Sequence, residues 1–182
     1  FFWKKNYPIK LISILSIYGL LITYNLSCVL INLNINIFGY LIGALILSCI
    51  VFTMILGHWY LNVPDLPIIY LRRIVIVFGL LLILRFIWNF WSIFNTYAII
   101  KNDILITNII LSDFIFSFEG IFIWIAILFG LLGAIIINIL TYLTVKMHST
   151  QSATGLLYVN LIMILMSEII YKYYLIYCGI AL

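Results

Sequence analysis

The stretch that decides the reading is Gly57–Ser92, GHWYLNVPDLPIIYLRRIVIVFGLLLILRFIWNFWS. Its first half carries His58, two prolines and the pair Arg72–Arg73, the composition of a turn at a membrane surface. Its second half is a nearly unbroken apolar run with one arginine, Arg85, near the middle. A charged side chain at the centre of a bilayer costs roughly 2.5–3.5 kcal/mol on insertion scales. The chain is therefore expected to supply Arg85 with a partner or a wet cavity.

The composition around this stretch points the same way. The 182 residues are 67% hydrophobic and 8% charged, with a mean hydropathy of +1.32. A soluble domain carries about 25% charged residues, so this chain cannot build a water-exposed surface. A transmembrane barrel needs segments of about ten residues with alternating polarity, whereas the apolar runs here are long and continuous. The fold class expected is all-α: a polytopic integral membrane protein of five transmembrane helices in a single domain, 1–182. The chain starts at Phe1 rather than methionine, which leads us to expect a removed start or a missing upstream segment. Heavy use of Ile, Asn, Tyr, Phe and Lys suggests an AT-rich genome, bacterial or organellar.

An aromatic and basic foot, FFWKKNY, precedes a first span expected at about 8–30. The second span, about 38–57, carries Gly39-xxx-Gly43 with Ala44 beside it, a face that lets a neighbouring helix approach closely. The third span is expected at about 74–94. The following segment, Asn95–Asp113, is too polar to cross, yet its apolar clusters recur at roughly helical spacing. It reads as an outer loop with an interfacial helix. The fourth span, about 114–145, is long enough to require tilt, and the fifth covers about 152–178.

Alternating spans place Lys4, Lys5, Lys10, Arg72, Arg73 and Lys146 on one side and Lys101 on the other. Six against one predicts a cytoplasmic or matrix-side N-terminus, a C-terminus on the opposite side, and a bacterial or organellar inner membrane.

Four ionisable residues fall within the spans: Arg85, Glu119, Glu168 and Lys172. Arg85, Asn89 and Ser92 share one stripe of the third span. Glu119 heads a face running through Ala126, Gly130, Ala134 and Asn138. On the fifth span Asn160, Ile164, Glu168 and Lys172 line up, with Glu168 and Lys172 spaced for an i, i+4 pair. Together Arg85, Asn89, Glu119, Glu168 and Lys172 form a candidate polar cluster for proton transfer, quinone or lipid contact, or subunit assembly. A static Arg85–Glu168 pair that fixes helix register is the plainer reading of the same residues.

A second candidate site lies on the inner face. Arg72, Arg73, Lys146, His148 and Ser149 gather around the hydroxyl-rich turn STQSATG at the start of the fifth span, suiting an anion or phospholipid headgroup. His58 and His148 share that side and are weak candidates for haem ligation, since haem is usually held from within the helices. The cysteines Cys28, Cys49 and Cys178 have no metal-ligand spacing and read as small buried hydrophobes. No phosphate loop, zinc signature, catalytic triad or basic face for nucleic acid is present.

The function expected from these features is a small integral subunit, accessory rather than catalytic, of a larger respiratory or other energy-transducing complex. Its partners would be the lipid bilayer and other membrane subunits. The alternative is a self-contained carrier of a small solute or ion, although transporters are usually larger and internally repeated.

Overall fold

The computed structural model describes residues 14, 17–19, 21, 22, 25, 37–63, 66–95, 97–102, 105–118 and 120–178. Four of its helices are long and apolar enough to cross a membrane, as an integral membrane protein requires. We number these elements α1 (Ile37–Asn62), α2 (Ile69–Asn95), β1 (Tyr97–Asn102), β2 (Leu105–Ile110), α3 (Leu111–Ile115), α4 (Ile121–Lys146) and α5 (Thr150–Cys178). The expected first span, 8–30, falls largely outside the described residues, and those described within it are helical.

The long helices extend beyond the apolar runs that announce them. α1 continues through GHWYLN to Asn62 and stops at Val63, the residue before Pro64. A residue preceding proline is forced out of helical backbone geometry. Pro67 sits just ahead of α2, so Arg72 and Arg73 belong to its first turns rather than to the connecting turn. The Tyr60 hydroxyl donates to the Pro67 carbonyl and staples the two helix ends together.

The outer loop corrects the expectation of an interfacial helix. β1 and β2 form an antiparallel hairpin in which Tyr97 faces Ile110 and Asn102 faces Leu105. Ile, Tyr and Thr favour strands over helix, and Ile recurs through both strands, with Tyr in the first and Thr in the second. The chain is overwhelmingly helical as expected, and among the described residues four long helices are joined by one small two-stranded sheet.

The fourth span is also shorter than the sequence suggests. α3 ends at Ile115 and a turn, stabilised by the Ser117 hydroxyl donating to the Phe114 carbonyl, leads to α4 at Ile121. Gly120 is required there: a methyl group at this position would overlap the backbone of Phe114 and Ile115. Within α4, residues Ala126–Gly133 form a π-helical stretch between α-helical ends.

The buried side chains of α2 are Leu71, Val75, Phe78, Leu82, Arg85, Asn89 and Ser92, a single stripe at spacings of three and four. That stripe faces the other helices, and most apolar residues outside it, such as Leu80, Ile87 and Phe90, are exposed as lipid-facing side chains should be. Toward the end where α1 meets α2, the core is built from Ile46, Ile50, Val75, Phe78 and Leu157. Toward the hairpin it is Leu111, Phe114, Ile123, Tyr171 and Tyr174.

Candidate functional site: a buried ion pair beside a lateral groove

Arg85 projects from the inward stripe of α2 and is 2% exposed. Its Nη2 lies 3.3 Å from Glu168 Oε1 of α5. Its Nη1 donates to the Gly39 carbonyl of α1 at 2.7 Å. The guanidinium carbon sits 4.8 Å from the centre of the Tyr171 ring. One cation thus ties three helices together through an ion pair, a backbone hydrogen bond and an aromatic face. Its Nε is buried with no hydrogen-bond partner among the described residues.

One turn along α2, the Asn89 amide donates to the Tyr171 hydroxyl at 2.8 Å, while its Oδ1 finds no donor among the described residues. Ser92 completes the buried stripe. The cluster's remaining cation, Lys172, lies beyond ion-pair distance of Glu168. Its ammonium instead sits 4.3 Å from the centre of the Tyr40 ring. The expected i, i+4 ion pair is therefore not formed, and the carboxylate is held by Arg85 instead. Glu119 lies outside the described residues.

Glu168 and Lys172 both border a groove of about 530 Å³ between α1 and α5, with Tyr40, Gly43, Ala44 and Ile169 among its other walls. A methyl group at Gly43 would come within 2.7 Å of Glu168 Oε2. The small-residue face read from Gly39 and Gly43 is thus used within the chain: the first offers its carbonyl to Arg85, the second its bare backbone to Glu168.

The same construction recurs along the bundle. Asn138 of α4 packs on Gly79 and donates to the carbonyl of Val75, four residues earlier, at 3.2 Å. Ser167 of α5 packs on Gly130 and donates to the carbonyl of Ala126, also four residues earlier, at 3.3 Å. Thr154 packs on Gly57 and donates to that glycine's own carbonyl at 3.1 Å. A missing side chain lets the neighbouring helix come close enough for its polar group to reach a backbone oxygen. Asn160 also donates across helices, to Ala134, and both Asn138 and Asn160 keep a buried Oδ1 without a donor among the described residues.

At the opposite end of the bundle the basic residues spread over two faces. The Arg72 guanidinium donates to the Tyr142 hydroxyl of α4 at 2.9 Å and lies over its ring. Arg73, one residue on, lines a crevice between α1 and α2 instead. Lys146, His148 and Ser149 are exposed where α4 gives way to α5, and His148 adopts a positive φ of 60°. His58 is exposed near the end of α1. Among the described residues, no group of three His, Cys, Asp or Glu side chains could hold a metal ion.

Tyr171, Tyr40 and Ser167 are partners that the sequence does not single out. The first two sit among tyrosines that read as an interfacial aromatic belt, and only Tyr171's position three residues after Glu168 places it on the charged face. Compared with known protein families, curated proteins and solved structures, the chain gives no match.

Proposed function

We propose that the chain is a small accessory subunit of a larger membrane complex, of the respiratory or energy-transducing kind, and that it meets a partner's transmembrane helix along the α1–α5 groove. The observation that carries this reading is the placement of Glu168 and Lys172 on the lining of the groove between α1 and α5. Charged groups bordering hydrocarbon are costly unless covered by polar groups. A partner helix bearing a hydroxyl or amide side chain would cover them, and the small floor of Gly43 and Ala44 admits close approach. The Arg85–Glu168 pair then serves to hold the groove's carboxylate in place. In this reading the basic end faces the cytoplasm or matrix.

A photo-reactive residue in place of Ile169, in the groove, should cross-link to a specific protein that also co-purifies in mild detergent. The same probe at Ile136, on the lipid-facing side of α4, should not. Lys172→Gln should weaken the co-purification. Cross-links to lipid or to a quinone alone would overturn the assembly reading.

A self-contained carrier is the second reading. It is favoured by the buried amide oxygens of Asn89, Asn138 and Asn160, on three different helices, which meet no donor among the described residues. Solute or ion flux into proteoliposomes that hold only the purified chain would select it over the first.

A further inference from the structure

A crevice between α1 and α2 lies at the basic end and shares no lining residue with the α1–α5 groove. It has a volume of about 500 Å³ and is walled by Phe52, Ile55, Leu56, Ile74 and Val77, with Arg73 the one charged residue on its lining among the described residues. That volume lies within the range of small-molecule pockets, about 300–1,000 Å³. Trp59 and Tyr70 also border it, and both are substantially exposed. Indole and phenol rings prefer the headgroup level of a bilayer. Arg73 is exposed and makes no hydrogen bond or ion pair among the described residues, whereas its neighbour Arg72 is engaged by Tyr142. The Tyr60–Pro67 hydrogen bond joins the two helices at the end of this crevice.

We propose that this crevice binds an anionic glycerophospholipid, with an acyl chain along the apolar walls and the phosphate on the Arg73 guanidinium. Each part of the ligand meets its own chemistry. The apolar walls suit a hydrocarbon chain. The Arg73 guanidinium, without an ion-pair partner among the described residues, matches a phosphate with two parallel donors. The aromatic rims fix the depth at which the headgroup lies. A headgroup with no net charge would leave Arg73 facing a quaternary ammonium as well as a phosphate, so a phosphatidylglycerol is favoured over a phosphatidylcholine. The site is narrower than one assembled from every basic residue at this end, because adjacent residues on a helix point about 100° apart.

The test uses the full chain in nanodiscs of phosphatidylcholine doped with brominated phosphatidylglycerol, reading quenching of Trp59 as the difference between the parent and Trp59→Phe. Phosphatidylglycerol should quench at lower mole fraction than brominated phosphatidylcholine. Arg73→Gln should weaken that preference about fivefold, the effect of one basic residue at an anionic surface. Arg72→Gln should leave it unchanged. Ile74→Trp, which fills the crevice, should reduce retention of phosphatidylglycerol in native mass spectrometry with Arg73 intact. Thermal melting of each variant separates loss of binding from loss of fold. Equal quenching by the two lipids, or equal loss in the Arg72 and Arg73 variants, would overturn the proposal.

Discussion

Replacing Arg85 by leucine removes the cation from a buried pair, and the structure sets the size of the effect. Breaking a buried ion pair from one side costs about 3–5 kcal/mol, since the other charge stays behind without a partner. Here that charge is Glu168, whose side chain is 11% exposed. The groove beside it and Lys172 one turn away offer partial relief, so the lower part of that range applies. The lost contact with the Tyr171 ring adds about 0.5–2 kcal/mol. The Gly39 carbonyl adds little, because as part of α1 it keeps the helix's own hydrogen bond. We expect Arg85→Leu to lose about 3.5–5 kcal/mol. Ordinary interhelical hydrogen bonds in membrane proteins average about 0.6 kcal/mol, so a loss above about 2 kcal/mol identifies a charge effect. Glu168→Leu should be as damaging, since it leaves Arg85 and Lys172 as two unbalanced cations. The double variant should recover most of the loss, because apolar replacement of a whole buried pair is often neutral. Unfolding in mixed lipid and denaturing-detergent micelles, followed by tryptophan fluorescence, measures all four corners of this cycle. A single variant within about 0.5 kcal/mol of the parent, or a double variant as unstable as the sum, would refute the reasoning.

Three further outcomes follow from the packing and topology. Gly130→Ala should destabilise by about 1–3 kcal/mol through overpacking against Ser167, whereas Gly155→Ala, where nothing lies within 4 Å, should be neutral or better; the same micelle assay ranks them. Tyr171→Phe strands the buried Asn89 amide and should cost about 1–3 kcal/mol, with Asn89→Leu in the same background regaining part of it. Cysteine labels at Asn102 and Gln151, separated by the single crossing of α4, should react from opposite sides of sealed vesicles; labelling of both from one side would sink the topology.

How much of this was legible in the sequence differs from element to element. The inward stripe Arg85–Asn89–Ser92 could be read directly, because one apolar helix holds few polar residues and their spacing fixes a face. Glu168 is legible as the arginine's partner because it is one of the few acidic residues within a span. Helix ends were less legible: GHWYLN looks like a turn because its residues suit an interface, but backbone geometry breaks only at the residue before Pro64. The hairpin was missed because Ile-rich segments interrupted by Asn and Thr satisfy a helical period about as well as an alternating one. The Gly120 turn was missed because the apolar run passes through it. The Tyr40 and Tyr171 rings carry no periodic signal that distinguishes a partner for a cation from an interfacial anchor.

The packing of this bundle also explains why so few polar residues are needed to specify it. Lipid is as apolar as leucine, so apolar side chains alone give helices little reason to choose one register over another. Each contact between a polar side chain and a glycine makes that choice. Asn138 on Gly79, Ser167 on Gly130 and Thr154 on Gly57 each need a gap in one helix and a short donor in the next at matching height. A slip of one residue rotates a helix by about 100°, which puts a side chain where the gap was and leaves a buried donor without its carbonyl. Arg85 extends the device to three helices, since its position is fixed only when Gly39 and Glu168 stand at one height. The ion pair and the small-residue contacts are therefore one mechanism of register. The groove beside Gly43 is where that mechanism leaves a carboxylate within reach of whatever packs against the bundle from outside.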